Sequence, residues 1–529
     1  MSELATAQTI PALLAERSTL GDHPAVIDQG HTISYRELFE QVEAVAKSYW
    51  AGGVRRGDRV AVWAPNRTEC ILAFLGAQYL GAAVVPLNTR YTGREAAEIL
   101  ARSGASVLVL TDEFLGLGLS RKLREATEQA DAPALTALTT IVTMDDVAAE
   151  GCRTWADFLA DGADVPGDVL AAAAAAVSPD DIVDILFTSG TTGQPKGVMS
   201  AQRQTIGVAH AWALGADLAA TDRYCIVNPI FHGFGYKAGL IASLIAGATM
   251  YPIPVFNTDD VLTLIERERI TVLPGVPTIF TSLIDHPNLA DFDLSSLRFA
   301  IAGATAAPDS LFHDMVNILG FSRVAQAYGL TECVVATMSR PGEDLAHASQ
   351  TTGPAVANIE IRIAGAEGEI LPVGGEGEIL LRGDNVMLGY FEDPEATSAA
   401  FDADGWFHTG DVGCLDEHGC LKITDRIKDM FIVGGFNVYP AEVENTLRRH
   451  PAVNESAVIG IEDARMGSVG RAYVALLREA DPKPTAEDIT AFCRTRLAGF
   501  KVPKEIVFVD DFPRNATGKI LKSDLRAAV

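Results

Sequence analysis

Thr188-Ser189-Gly190-Thr191-Thr192-Gly193-Gln194-Pro195-Lys196-Gly197 packs three glycines, four hydroxyls and one lysine into ten residues. A segment so poor in apolar side chains cannot build a core. It can wrap an anion, because glycine lets backbone N–H groups approach phosphate closely and lysine adds charge. The apolar run Ile182-Val183-Asp184-Ile185-Leu186-Phe187 precedes it and reads as a buried strand. A glycine-rich loop leaving a strand end is where nucleotides sit. The spacing is not that of the common G-x-x-x-x-G-K-[ST] loop, since Gly190 and Gly193 are three apart and Lys196 follows Pro195. Pro195 disfavours a direct run into a helix and predicts a mobile loop rather than a fixed cradle. The competing reading is a flexible linker, but linkers rarely space Lys and Thr so regularly.

Outward from this loop, other segments carry compatible chemistry. Tyr328-Gly329-Leu330-Thr331-Glu332 follows a strand-like stretch ending near Ala327. Its aromatic can stack on a purine, Gly329 permits close approach, and Thr331 and Glu332 can hold phosphate oxygen and Mg²⁺. Any surface turn can look so; beside the 188–197 loop it gains weight. Ala302-Gly303-Ala304-Thr305 reads as a backbone wall for adenine and for an acyl group, or as a simple tight turn. Asp411, after Gly410, suits the hydroxyls of a ribose. Arg426, fifteen residues on, can support the same sugar, although each alone reads as an ordinary salt-bridge residue.

Asn228-Pro-Ile-Phe-His-Gly-Phe-Gly-Tyr-Lys237 mixes aromatics, His232 and glycines. It can line an acyl pocket, with Gly233, Gly235 and Gly239 leaving room; His232 is either structural or in touch with substrate. Pro513-Arg-Asn-Ala-Thr-Gly-Lys519 is a second Gly/Thr/Lys segment near the chain end, where tails usually fray and carry little. Lys519 is therefore either a solvated lysine or one that reaches an active site formed by the larger domain.

The bulk numbers set limits. At 529 residues the chain suggests several domains. A net charge of −27 argues against nucleic acid or an acidic membrane face as partner. Seven scattered cysteines without C-x-x-C favour reduced thiols in a cytoplasmic protein over zinc or disulfides. The N-terminus shows no signal peptide. The apolar stretch at 71–87 contains Gly76, Gln78, Gly81 and Pro86, so it reads as a buried helix running into a strand, not a membrane span.

Helix and strand patterns alternate over the first 120 residues and resume around 273, 298–302 and 323–327, predicting a parallel, doubly wound sheet. The alanine run at 171–176 reads as a surface helix or loose connector. From about 359 short runs among Gly-rich turns suggest a small β-rich subdomain. Residues 424–430 form a charged joint, and the remainder reads as a compact α+β unit.

Together these segments resemble the adenylate-forming superfamily of acyl- and aryl-CoA synthetases, luciferases and peptide-synthetase adenylation domains. The motifs stand in the family's order over essentially the whole chain. The resemblance implies an α/β fold: a large N-terminal domain (1–424) of doubly wound sheets with a β-barrel-like subdomain, a hinge (425–430) and a small mobile α+β domain (431–529). It implies a two-step reaction in which a carboxylic acid and ATP give an acyl-adenylate that coenzyme A then intercepts. In that scheme Lys519 bridges carboxylate and α-phosphate. Thr188 and Glu332 hold Mg²⁺. Ser189, Gly190, Thr191, Thr192, Gly193 and Lys196 take the pyrophosphate. Gly303, Ala304, Thr305, Tyr328, Gly329 and Thr331 flank the nucleotide, and Asp411 and Arg426 fix its ribose. His232, Phe234, Tyr236, Lys237, Gly303 and Gly329 line the acid, with His232 also counted as catalytic. Lys428 is the hinge, and Gly434, Gly435 and Phe436 pass the pantetheine arm. Residues 86–91, 231–239, 425–430 and 434–440 are similar to a bacterial subgroup that activates the propanoate side chain of a methylated indane-dione, a steroid-ring catabolite. Fatty-acid and aryl-acid ligation, or transfer to a separate carrier protein, are the alternatives, and a homodimer is compatible.

Overall fold

The computed structural model describes the chain except residues 1–3, 130–131, 189–194, 304–307, 427–428, 430, 434–435, 439, 464–465, 479, 495–496, 498, 515–519 and 528–529. The expected sites at Ser189, Gly190, Thr191, Thr192, Gly193, Ala304, Thr305, Lys428, Gly434, Gly435 and Lys519 therefore lie outside the described residues. The chain divides into two compact units, Met1–Glu360 with Arg382–Gly405 and Ile361–Leu381 with Trp406–Val529.

The first unit is an α/β structure. Its eight-stranded sheet runs in the order Gly389–Tyr390, Lys196–Ala201, Ile182–Thr188, Ala83–Pro86, Arg59–Trp63, Val107–Leu110, Thr140–Thr143, Arg153–Thr154. From Ile182–Thr188 onward the strands pair in parallel. The chain leaves Arg59–Trp63 for Ala83–Pro86 on one side and then for Val107–Leu110 on the other, which is the double winding expected. The parallel expectation fails at one edge, where Lys196–Ala201 pairs antiparallel with Ile182–Thr188 on one side and with Gly389–Tyr390 on the other. Helix starts follow local chemistry: Ser34 with Glu37, and Thr92 with Glu95, form reciprocal caps on helices Tyr35–Ala51 and Gly93–Ser103. The helix Thr68–Tyr79 is buried on nearly every side and leads into Ala83–Pro86. No described helix is long and apolar enough to cross a membrane. The alanine-rich stretch is a helix, Gly167–Ala175.

A second sheet holds His31–Ser34, Pro24–Asp28, Thr249–Pro252 and Arg223–Ile226. Phe299–Ile301 and Arg323–Ala325 form a parallel pair beside it. The strand expected around Leu273 is realised only as single bridges, from Val272 to Tyr224 and Phe299 and from Gly275 to Ala302. Asp222 stitches this region: it accepts from Thr271 at 2.7 Å and from both arms of the Arg298 guanidinium at 2.7 and 2.5 Å.

A four-stranded sheet, Ile359–Ala364, Gly377–Gly383, Phe407–Leu415 and Leu421–Arg426, lies largely in the second unit. The last strand extends to Arg426, into the residues expected to be a joint. A five-stranded sheet then carries helices Pro440–Arg448 and Ala486–Arg494, whose Val443, Leu447, Ile489 and Cys493 share its core. All seven cysteines remain thiols.

Candidate active site

The glycine-rich run closes a β-hairpin. Ile182–Thr188 and Lys196–Ala201 pair antiparallel with Thr188 opposite Lys196, and the Thr188 hydroxyl donates to the Lys196 carbonyl at 3.4 Å. Pro195 thus turns the chain into a strand, consistent with its resistance to helix. Arg102, in the last turn of Gly93–Ser103, donates to the Pro195 carbonyl and lies 5.7 Å over the Phe187 ring. It pins the base of the loop, a role its place in a helical pattern did not disclose.

The second motif is also a hairpin. Tyr328 pairs with Thr337 and Leu330 with Cys333, leaving Thr331 and Glu332 at the turn. The register slips between Tyr328 and Leu330 because Gly329 lies against the partner strand: a Cβ there would stand 2.0 Å from the Val334 carbonyl oxygen. The turn is held from a third direction. Met387 donates its backbone N–H to the Glu332 carbonyl at 2.7 Å, and the Tyr390 hydroxyl donates to Glu332 Oε1 at 2.9 Å. The Tyr390 ring in turn carries the Lys196 ammonium 4.7 Å from its centroid. Lys196, Tyr390 and Glu332 therefore form one cation–aromatic–carboxylate group beside Thr188. Burial, reinforced by the Glu332 charge, pushes the Tyr390 phenol pKa up, so it stays a donor. Sequence reasoning missed Tyr390, which follows Glu332 by 58 residues and sits in no motif read there.

The third group surrounds Phe234, which opens the π-helical segment Phe234–Ile241; such segments recur at functional sites. Phe234 meets Trp212 edge-on at 5.6 Å, and a Cβ on Gly303 would lie 3.6 Å from the Phe234 ring. Gly303 sits just past the end of Phe299–Ile301 and Tyr328 lies a few residues past Arg323–Ala325, the strand ends where ligands bind in open α/β sheets. His232 Nδ1 accepts the Phe234 N–H at 3.2 Å, which leaves the ring proton on Nε2 in the neutral form. The ring is solvent-exposed, yet the protein around it desolvates it and holds its pKa below the ordinary imidazole value.

Two expectations for this segment are corrected. Tyr236 and Lys237 do not line a pocket: they are 0% and 2% exposed and face the interior. The Lys237 ammonium lies 3.2 Å from Asp184 and donates to Ser200 at 2.6 Å. Nor does Gly235 leave room for a ligand, because a Cβ there would be 2.3 Å from the carbonyl oxygens of Asn228 and Pro229; glycine is needed to fold the turn on itself.

In the second unit Asp411 is 4% exposed on Phe407–Leu415, and its backbone is paired with Arg426 across the sheet. The two residues read as one ribose pair are thus cross-strand neighbours. Thr409 anchors the approach: its hydroxyl donates to the Ile379 carbonyl at 2.7 Å and accepts the Asp411 N–H at 3.0 Å. Phe436 lies on the short strand Phe436–Val438.

The AMP-binding enzyme family matches residues 15–391, and its AMP-binding enzyme C-terminal domain matches residues 442–519. Two relatives, from Rhodococcus jostii and Mycobacterium tuberculosis, are each 48% identical over 98% of this chain and 98% of their own length. Both are named 3-[(3aS,4S,7aS)-7a-methyl-1,5-dioxo-octahydro-1H-inden-4-yl]propanoyl:CoA ligase. The solved anthranilate CoA ligase AuaEII in complex with anthranoyl-AMP is 27% identical, with a TM-score of 0.87 over 100% of this chain and 98% of that one. The chain belongs to the AMP-binding enzyme family, within the adenylate-forming superfamily, and is an ATP-dependent, AMP-forming acyl-CoA ligase.

Proposed function

We propose that the acid is a fused-ring, steroid-derived propanoate. The observation that carries this is the 48% identity over 98% of the chain to two ligases named for such an acid. In the first half-reaction a carboxylate oxygen of the acid bonds to the α-phosphorus of ATP as the bond to pyrophosphate breaks. In the second, the coenzyme A sulfur bonds to the acyl carbon, AMP leaves, and the thiol proton goes to solvent.

Acid and triphosphate are both anions, so positive charge has to be set before they meet. Lys196, held over the Tyr390 ring, takes the leaving pyrophosphate together with the hydroxyls of Ser189, Thr191 and Thr192 and the backbone at Gly190 and Gly193. Glu332 and Thr188 offer the hard oxygen donors that Mg²⁺ prefers; bound there it would neutralise phosphate charge. Tyr328, Gly329, Thr331 and the 303–305 segment flank the nucleotide base and α-phosphate. Asp411 and Arg426 hold the ribose. Phe234, His232, Gly303 and Gly329 border the acid. Lys519 spans carboxylate and α-phosphate, then withdraws as residues 431–529 turn about Lys428 and bring Gly434, Gly435 and Phe436 to the thiol. ATP and coenzyme A as co-substrates fit a cytoplasmic place of work.

The test is a panel of pyrophosphate release with the fused-ring propanoate, decanoate, palmitate and ferulate, each with and without coenzyme A. The fused-ring acid is expected to show a kcat/KM at least tenfold above the others. Preference for a fatty or aryl acid would overturn the substrate assignment.

A further inference from the structure

A buried polar cluster lies behind the phosphate-loop hairpin, and the reaction scheme does not use it. Asp184 sits in the middle of Ile182–Thr188 and is 0% exposed. Lys237 sits on the Phe234–Ile241 segment and is 2% exposed. Their charges meet at 3.2 Å. Each is held from the side as well: the Thr205 hydroxyl donates to Asp184 Oδ2 at 2.7 Å, and Lys237 donates to Ser200, on Lys196–Ala201, at 2.6 Å.

A charge pair taken out of water is weak evidence for stability, since apolar residues of similar volume often do as well. Its position is more telling. Asp184 lies four residues before Thr188 on one arm of the hairpin, and Ser200 lies four residues after Lys196 on the other. Lys237 lies three residues after Phe234 on the segment that borders the acid. The ammonium thus joins both arms of the phosphate-loop hairpin to the acyl segment, through short contacts that a shift of either element would stretch.

We infer that Lys237 and Asp184 are positioning residues that couple acid binding to ATP binding, by locking the acyl segment to the base of the phosphate loop. Neither touches substrate. The mutual effect of two ligands is reciprocal, so it is read from either side.

The experiment measures the dissociation constant of α,β-methylene-ATP with and without saturating acid. The acid is the one wild type adenylates fastest in the panel above, so a wrong substrate assignment leaves this test standing. Wild type is expected to bind the analogue at least fivefold tighter with acid. Lys237→Met alone strands a buried carboxylate and is expected to lower Tm. The double variant Asp184→Asn/Lys237→Met is expected to recover Tm to within a few degrees, yet to show a ratio within twofold of one. Ser200→Ala and Thr205→Val keep both charges and test the same link should the double variant fail to fold; each is expected to reduce the ratio at least twofold. A wild-type ratio of one, or a wild-type ratio retained in the double variant or in both hydroxyl variants, would overturn the inference.

Discussion

Tyr390 makes two separable contacts, a hydroxyl to Glu332 and a ring face under Lys196. Tyr390→Phe removes the first and keeps the second. A hydrogen bond to a charged group contributes about 1.5 kcal/mol or more, so pyrophosphate release is expected to slow about tenfold. Thiolysis of supplied acyl-AMP should stay at the wild-type rate, because the proposed role of Glu332 ends with adenylation; equal slowing of both halves would dismiss it. His232 gives a pH prediction at the same scale. Its pKa in the fold lies below the ordinary value of 6.5. As pH falls, the unfolded chain takes up the proton first, so the stability from neutral His232 is whole above about 6.5 and drains as pH drops through the depressed value. A protonated Nδ1 also cannot accept the Phe234 N–H. The slope of Tm between pH 7 and 5 should therefore be shallower in His232→Gln than in wild type, and an unchanged slope would exclude His232 as its source.

Gly329 decides the shape of an element. A Cβ there would stand 2.0 Å from a backbone oxygen that cannot rotate away. Gly329→Ala is expected to cost about 1–3 kcal/mol of stability, the range for overpacking, and to raise KM for ATP because the same hairpin carries Tyr328 and Glu332. A Tm within a degree of wild type would show that the slipped register does not need glycine. Elements of this kind were legible wherever local chemistry dictates them. The helix–strand alternation over the first 120 residues was legible, and Pro195 barred a helix after the phosphate loop, whereas the reciprocal caps at Ser34–Glu37 and Thr92–Glu95 came only with the structure. Pairings between distant segments were not legible. That Gly389–Tyr390 would join the strand beginning at Lys196 depends on residues almost two hundred positions apart. Lys237 was misread for the same reason: its partner Asp184 stands as a lone acid in an apolar strand, and nothing local to Lys237 signals a buried carboxylate.

At the scale of the whole molecule the proposed chemistry spans two compact units. Thr188, Lys196, Glu332 and Tyr390 belong to the first unit, and Asp411 and Lys519 to the second. A cation carried on residues 431–529, beyond the proposed hinge, can serve one half-reaction and be absent from the other, which a residue on the phosphate-loop side of that hinge cannot do. Lys519→Ala is therefore expected to lower acyl-adenylate formation at least a thousandfold while thiolysis of supplied acyl-AMP stays within threefold of wild type. Gly435→Leu is expected to do the reverse, slowing thiolysis at least tenfold with pyrophosphate release nearly unchanged, because added bulk obstructs the pantetheine arm and not the adenylate. The two variants check each other. If both lower both half-reactions equally, residues 431–529 act as a single static wall and the proposed turn about Lys428 has no work to do. If each removes only its own half, one small domain is serving two chemistries in succession, and the order of the steps follows from which of its faces is presented.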